Sequence, residues 1–197
     1  MSEAARMRLA MLFGATTLTC LCSCSDPESP PASVEPLMPL TLGNVWEYVE
    51  MNIAGGESTI VDTMSIQILD AVPLSHHLYF TTNSDLMFAN TRDGLSVARY
   101  DHDGGFDDLE ILLRYPTQTG IEYGYSSSKI TSRPLRIEVR ADTVYSFIGP
   151  LTALIYTVNQ EPAGEFLEFG FSPRIGMISL ENSFGTLWLL SAYDLQE

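Results

Sequence analysis

From Pro39 to the end of the chain, apolar and polar residues alternate with a period of two. Residues 60–68 show the pattern most clearly, with Ile60, Met64, Ile66 and Ile68 on one face and Thr63, Ser65 and Gln67 on the other. Successive side chains of a strand point to opposite faces, so this period predicts half-buried β-strands. No stretch carries the 3.6-residue apolar stripe of an amphipathic helix. We therefore expect an all-β, antiparallel fold.

Turn signals separate the candidate strands, as in an all-β sandwich or barrel. The clearest turn is NTRDG at residues 90–94, where Asp93-Gly94 can supply the positive φ angles of a tight hairpin. Strands are predicted around this turn at 86–88 and 95–97. Further candidate strands cover 45–52, 60–68, 76–82, 109–115, 121–127, 134–147, 151–158, 165–171, 176–181 and 186–193.

A segment near the start of the strand-rich region recurs 77 residues later. PLTLGNVWEY at 39–48 and PTQTGIEYGY at 116–125 both follow P-x-x-x-G-x-x-aromatic-x-Tyr. An internal duplication would divide the body into halves 39–115 and 116–197, each a meander of six strands. We predict that the two meanders close around one shared core as a barrel-like or sandwich body, because closure removes exposed strand edges.

The N-terminal segment has a different pattern. Arg6 and Arg8 precede an uncharged apolar run at 9–21, which is the order of a signal peptide. The run has 13 residues, too few for a membrane-spanning helix, which needs roughly 20. Leu-Cys-Ser-Cys then resembles the lipobox of bacterial lipoproteins, in which the last cysteine, here Cys24, accepts the lipid. We expect cleavage after a signal peptide of residues 1–23; an ordinary signal peptide with incidental cysteines is the alternative.

Residues 24–38 are predicted to be the lipidated Cys24 and a tether. The tether, SDPESPPASVEPLM, contains four prolines and three acids. At roughly 3.1 Å per residue, an extended Pro-rich chain of this length could hold the body about 40 Å from a membrane. A single domain is accordingly placed at 39–197. It contains no cysteine, and therefore no internal disulfide. Because Ser25 rather than aspartate follows Cys24, we expect the outer membrane in a host with two membranes.

The net charge limits the possible partners. Removal of residues 1–23 takes one acid and two bases from totals of 25 and 10, which leaves 24 acids, 8 bases and a formal charge of −16. Such a surface repels nucleic acid and anionic headgroups, so no nucleic-acid partner is expected. Membrane attachment must then come from the acyl chains on Cys24.

Taken together, these segments resemble a widespread set of bacterial envelope lipoproteins of unassigned activity. Their mature part opens with a segment like P-L-x-x-G-x-x-W-x-Y, which here comprises Pro39, Leu40, Gly43, Trp46 and Tyr48. It closes with a segment like F-x-P-x-[IV]-G-[LM]-[IV]…G-x-x-W-x-L-x-x-Y, which here comprises Phe171, Pro173, Ile175, Gly176, Met177, Ile178, Gly185, Trp188, Leu190 and Tyr193. This chain departs from that pattern by lacking a Gly-x-Phe after residue 149. The resemblance implies a β architecture and an envelope location, and it implies no particular activity.

Five aromatic residues are candidates for lining a ligand cavity. They occupy alternate strand positions near glycines, where buried framework side chains are the alternative. The candidates are Trp46, Tyr48, Tyr123, Tyr125 and Trp188.

No metal site is predicted. The acidic segment 101–110 has the oxygen ligands that calcium prefers. As a calcium loop of the EF-hand type it has Phe106 where glycine is required and Leu112 where glutamate is required. A solvated hairpin loop therefore fits better, with calcium as the alternative. His76 and His77 are adjacent, so on a strand they point to opposite faces and cannot bind one ion together.

Catalytic patterns are nearly absent from the chain. Residues 94–98, GLSVA, approach a nucleophile elbow, but no helix follows them. We expect no catalytic residue, no cofactor and no enzymatic activity. A non-enzymatic binding or adaptor module is the favoured interpretation, with an envelope protein, a glycan or an apolar ligand as partner. A structural envelope component and an unrecognised hydrolase using Ser96 and His102 are the alternatives. A deep apolar cavity would favour the first, a packed interior the second and a catalytic cleft the third.

Overall fold

The computed structural model describes residues 35–74, 76–84, 86–100, 106–125, 135–160 and 165–196. Within these ranges the regular secondary structure consists of β-strands, and no helix capable of crossing a membrane occurs there. The strands are β1 (Val45–Ala54), β2 (Glu57–Leu74), β3 (His77–Thr82), β4 (Leu86–Thr91), β5 (Gly94–Tyr100), β6 (Phe106–Arg114), β7 (Glu122–Tyr125), β8 (Leu135–Ser146), β9 (Gly149–Gln160), β10 (Glu165–Ser172), β11 (Gly176–Asn182) and β12 (Thr186–Asp194).

These strands form one antiparallel sheet in the order β6-β5-β4-β3-β2-β1-β12-β11-β10-β9-β8-β7. Strands β1–β6 and β7–β12 are therefore two successive meanders. They join where β1 pairs with β12, from Val45 opposite Asp194 to Asn52 opposite Thr186. The predicted all-β antiparallel architecture is confirmed, and the sheet curves into a nearly closed, barrel-like body.

The two edge strands, β6 and β7, are joined by side chains. The Tyr123 hydroxyl on β7 donates to the carbonyl of Leu112 on β6 at 3.0 Å and accepts from the Arg114 amide at 2.9 Å. The Tyr156 hydroxyl donates to the Arg114 carbonyl at 2.9 Å. The two meanders meet at two places, at the β1–β12 junction and at this β6–β7 seam. One junction is thus a backbone ladder, and tyrosine hydroxyls bridge the other.

A single large core fills the interior between the meanders. Its buried members come from strands of both halves and include the aromatic residues Trp46, Tyr48, Phe88, Tyr156, Phe169 and Phe171. A smaller cluster of Tyr79, Met87, Ala89 and Ala98 lies on the opposite face of β3–β5. Both faces of that part of the sheet are therefore covered.

The body begins earlier than the predicted boundary at residue 38. Leu37 and Met38 are fully buried in the core. The Met38 carbonyl accepts a hydrogen bond from Asn90 at 2.9 Å, and Glu35 pairs with Arg174 at 2.7 Å. Burial of the apolar side chains of Leu37 and Met38 stabilises the fold, whereas the residues of a solvated spacer would be exposed. The predicted tether 25–38 therefore extends too far toward the C-terminus.

The predicted hairpin at residues 90–94 is present, but its turn lies one residue earlier than expected. Arg92 and Asp93 form the two-residue loop, and Gly94 is the first residue of β5, with φ of +145°. A Cβ at Gly94 would lie 2.0 Å from the Leu113 carbonyl oxygen. Glycine is therefore required by the close approach of β6 as well as by its φ angle.

Candidate functional site

Trp46 and Tyr48, two of the predicted ligand-lining residues, are completely buried on β1. The indole Nε1 of Trp46 donates to the Ile175 carbonyl at 2.6 Å, and the Tyr48 hydroxyl donates to the Met177 carbonyl at 2.9 Å. Burial raises the pKa of Tyr48 well above its ordinary value. These contacts use the polar atoms of both side chains inside the fold, which favours a framework role.

The remaining three aromatic candidates are not gathered into one cavity. Tyr123 is buried at the β6–β7 seam, and burial raises the pKa of its hydroxyl. Tyr125 and Trp188 are partly buried and pack against the main core. Burial is the larger cause that raises the pKa of Tyr125, and the negative charge of Glu110 raises it further.

Ser96, in the approximate nucleophile elbow, lies within β5 and is buried. Its hydroxyl donates to Glu110 at 3.2 Å, the Tyr79 hydroxyl donates to the same carboxylate at 2.9 Å, and the two hydroxyls are 3.0 Å apart. Burial first, and then the Glu110 charge, raises the pKa of Tyr79. The arrangement satisfies three polar groups on a covered face, which is what buried hydroxyls need. His102 lies outside the described residues.

The histidines and acids of the described residues form no metal-ligating group of three or more. His76 is exposed in the turn before β3, and His77 opens that strand. The Nδ1 atom of His77 is buried without a hydrogen-bond partner. The acidic loop lies mostly outside the described residues, at 101–105.

A surface groove that the sequence did not indicate runs beside the β6–β7 seam. It consists of two adjoining depressions that share Ile121 and that we call the loop groove. The first, of about 490 Å³, is lined by Arg114, Pro116, Thr117, Gln118 and Ile121. The second, of about 420 Å³, is lined by Gly120, Ile121, Glu122, Arg136, Glu138, Val139, Arg140 and Thr157. Both volumes fall within the usual range for ligand sites.

Arg114 is the cation in this groove that has no carboxylate partner among the described residues. Its guanidinium carbon lies 4.7 Å from the centre of the Tyr123 ring, a cation–π contact that holds the guanidinium over the ring. Thr117, in the same depression, has a buried Oγ1 atom without a hydrogen-bond partner. The first depression therefore presents a guanidinium that is held over an aromatic ring and has no carboxylate partner among the described residues.

The other two arginines of the groove are occupied. Arg136 pairs with Glu122 at 2.6 Å, and Arg140 makes two bonds to Glu168 at 2.8 and 3.0 Å. The Glu168 hydrogen bond raises the pKa of Arg140 further. Three of the eight bases that follow Cys24 thus line one groove. The closeness of these three arginines in the sequence was the available signal. They line one groove only because β8 pairs with β7.

No family model matches the chain, and no curated protein matches it. Two solved structures are similar to it in fold. One is assigned as an exported protein with a YmcC-like fold, from Bacteroides fragilis NCTC 9343; it is 13% identical over 82% of this chain and 100% of that chain, with a TM-score of 0.43. The other is assigned as a lipoprotein from Parabacteroides distasonis ATCC 8503; it is 13% identical over 82% of this chain and 99% of that chain, with a TM-score of 0.42. At these TM-scores the similarities carry no inference about what this chain binds or where it resides.

Proposed function

We propose that this chain is a lipid-anchored protein of the bacterial cell envelope, and that its β domain is a non-enzymatic binding module. The anchor rests on Arg6 and Arg8, the apolar run that follows them and the lipobox-like segment ending at Cys24. Two or more acyl chains hold a protein stably to a membrane where one does not. The outer membrane is the proposed destination because Ser25 follows the cysteine.

The anchor is tested by radiolabelled palmitate. The wild-type chain should incorporate label, and Cys24→Ser should incorporate none, because the acceptor thiol is gone. Cys22→Ser is the matched control and should keep its label. Undiminished label on Cys24→Ser would refute the anchor, and sedimentation of the protein with inner-membrane vesicles would refute the outer-membrane destination.

The binding site that we propose is the first depression of the loop groove, and the oriented Arg114 carries the proposal. A guanidinium without a carboxylate partner among the described residues is suited to a carboxylate, which it can engage with two parallel hydrogen bonds. Pro116 and Ile121 supply apolar walls. The groove is open, which suits part of an extended chain better than a small molecule that must be enclosed. We therefore propose a carboxylate-bearing envelope chain as ligand.

The overall charge affects where such a ligand can bind. Most of the surface repels anions, and at physiological salt that repulsion is screened beyond about 8 Å. Close contacts in the groove then dominate. Arg136 and Arg140 are already paired with carboxylates, so Arg114 is the lining arginine that can act on an anionic ligand. We therefore expect an anionic group to bind at Arg114 despite the negative charge of the whole chain.

A binding assay with the purified full chain tests this site. The probes are a uronic-acid oligosaccharide and a glutamate-rich peptide, measured by calorimetry at physiological salt. Loss of a charge-assisted hydrogen bond costs about 1.5–3 kcal/mol, so Arg114→Gln should weaken binding of the accepted probe by about tenfold or more. Arg136→Gln, which removes an already paired arginine, is the control. Equal binding by wild type and Arg114→Gln would refute the site.

A structural envelope component without a small ligand is the second candidate function. It is favoured by the interior, where aromatic and aliphatic side chains fill the space between the meanders. Under this alternative neither probe binds, and loss of the protein weakens the envelope instead. Detergent sensitivity of cells lacking the chain would separate the two candidates.

A further inference from the structure

The β8–β9 hairpin ends in a cluster of exposed apolar side chains, which we call the hairpin tip. It comprises Tyr145, Phe147 and Ile148, which are 75%, 51% and 40% exposed. Isolated apolar residues on a surface are normal, but adjacent large ones often mark an interaction site. Three such residues within four positions need a physical explanation.

The fold holds these side chains in their exposed positions. Ser146 donates from its hydroxyl to the Gly149 carbonyl at 2.9 Å, which closes the turn. The Phe147 amide donates to the Leu190 carbonyl of β12 at 3.0 Å, which fixes the turn to the body. Val144 and Leu151 pair across the hairpin and pack against the main core. The exposure therefore belongs to a docked hairpin and does not result from a frayed end.

The tether reaches the body at the end of the sheet where β1 begins. Glu35 pairs with Arg174 in the β10–β11 turn. Gly176, at the start of β11, lies against Met38 and Trp46. Leu190, which holds the hairpin tip, is four residues before Asp194 at that end of β12. At about 3.4 Å per residue, the tip is roughly 14 Å along the strand from that end.

The length of the tether restricts which surfaces can meet the membrane. Cys24 and Glu35 are 11 residues apart in sequence, so their Cα atoms are at most about 40 Å apart. Phe184, another exposed apolar residue, lies in the β11–β12 turn at the far end of the sheet. That end is about 33 Å away along the ten residues of β1. Bringing it to the membrane would require an almost fully extended tether, whereas the hairpin tip is within easy reach.

We propose that Tyr145, Phe147 and Ile148 contact the bilayer in which the lipid on Cys24 is anchored, with the domain lying on its side. This inference rests on the lipid anchor proposed above. Aromatic and aliphatic side chains are favoured at the boundary between headgroups and acyl chains. The acidic body would be repelled by anionic headgroups, so the surface that fits is one of zwitterionic phospholipid.

Site-specific labelling of the full, lipidated protein tests the contact. No cysteine follows Cys24, so Tyr145→Cys introduces one free thiol for an environment-sensitive fluorophore. Phe184→Cys is the matched control, because Phe184 is 78% exposed and Tyr145 is 75% exposed. Both proteins are reconstituted into phosphatidylethanolamine–phosphatidylcholine vesicles that contain nitroxide-labelled lipid.

The label at position 145 should shift to the blue and be quenched by the nitroxide several-fold more than the label at 184. Adding Phe147→Ser and Ile148→Ser to the Tyr145→Cys protein should reduce the quenching to the control level. Vesicle flotation without selective quenching at 145, or stronger quenching at 184, would overturn the inference and leave the anchor intact. Failure of the wild-type protein to float would overturn the anchor, and this inference with it. Shielding of position 145 that appears only on self-association in solution would show a contact between copies, and would also overturn it.

Discussion

At the residue scale, Trp46 and Tyr48 compensate for a gap in the backbone ladder. Strand β12 pairs with β11 only along Ser179–Glu181, so the carbonyls of Ile175 and Met177 receive no bond from that ladder. An unpaired buried carbonyl costs about as much as a lost hydrogen bond. The two aromatic side chains supply both donors while filling the core.

This framework role predicts a large loss of stability on truncation of Trp46. Trp46→Ala should reduce the free energy of unfolding by about 3–5 kcal/mol, as for other large buried aromatic residues. That is a large fraction of a typical domain stability of about 5–15 kcal/mol. Urea denaturation measures the loss, and Tyr193→Ala, at an exposed position of β12, is the control. Near-native stability of Trp46→Ala, together with acrylamide quenching of the wild-type tryptophans, would instead indicate an accessible ligand site.

At the scale of single elements, the β4–β5 hairpin depends on the missing side chain of Gly94. Gly55, in the β1–β2 turn, also has a positive φ, of +63°, but a Cβ there would meet nothing within 4 Å. Gly55→Ala should therefore cost only the conformational term, about 1–2 kcal/mol. Gly94→Ala should cost several kcal/mol more, because the Cβ would collide with the backbone of β6. Thermal denaturation of both variants tests the comparison, and similar losses would contradict it.

A second element-level feature is the ion pair that connects β8 with β10. Burial raises the pKa of the Glu168 carboxyl, but hydrogen bonds from Arg140 and Thr157 outweigh burial and leave it below the ordinary 4.5. Glu181 has the opposite shift, because burial and the like charge of Glu168 raise its pKa. Charged Glu168 thus stabilises the folded state, whereas charged Glu181 opposes it.

The pH dependence of stability follows from the lowered pKa of Glu168. Its contribution is fully present above the ordinary value of 4.5 and is lost as the pH falls through the folded-state pKa. Glu168→Gln should therefore be less stable than wild type at pH 7, and the difference should shrink below that value. Urea denaturation across this range is the measurement. Glu122→Gln removes a half-exposed pair and should have little effect at any pH; equal behaviour of the two variants would contradict the assignment.

At the scale of the whole molecule, the sheet has one seam closed by side chains. Exposed edges are available for pairing with other chains, and proteins commonly protect them. Here β7 is only four residues long, and the hydroxyls of Tyr123 and Tyr156 occupy backbone groups of β6. The loop groove is adjacent to this seam, so the proposed binding site lies where the barrel-like body is least regular.

Loss of a seam hydroxyl should be detectable at one amide. Tyr123→Phe removes the acceptor of the Arg114 amide, so hydrogen exchange at Arg114 should accelerate. A hydrogen bond worth about 1 kcal/mol corresponds to roughly fivefold. Amides of the β1–β12 ladder should keep their wild-type rates. Tyr145→Phe, at an exposed hydroxyl, is the control, and an unchanged Arg114 rate in Tyr123→Phe would show that the seam is held by other contacts.

How much could be predicted differs between the strands and the sites. The alternation of residues such as Met64, Ile66 and Ile68 reflects a local rule, since the side-chain period of a strand is two. Eleven of the twelve strands could therefore be placed from the sequence to within a few residues, whereas β2, predicted at 60–68, extends to Leu74. Ile60 was predicted on the buried face but is exposed, because the register between β1 and β2 shifts between Glu50 and Met51. The start of the folded body could not be placed in this way, because Leu37 and Met38 are buried through contacts with residues far away in the chain.

The strand pattern and the proposed lipidation at Cys24 could be predicted from the sequence, because each depends on residues close together in the chain. The two meanders were indicated by the recurrence of segment 39–48 at 116–125. Which residues come into contact became clear only from the folded sheet. Arg114 lies over the Tyr123 ring only after β7 returns beside β6. The hairpin tip is held in its exposed position by the hydrogen bond from the Phe147 amide to the Leu190 carbonyl. The alternation of apolar and polar residues does not indicate which distant residues come into contact. The packing of the whole sheet was therefore needed to place these contacts.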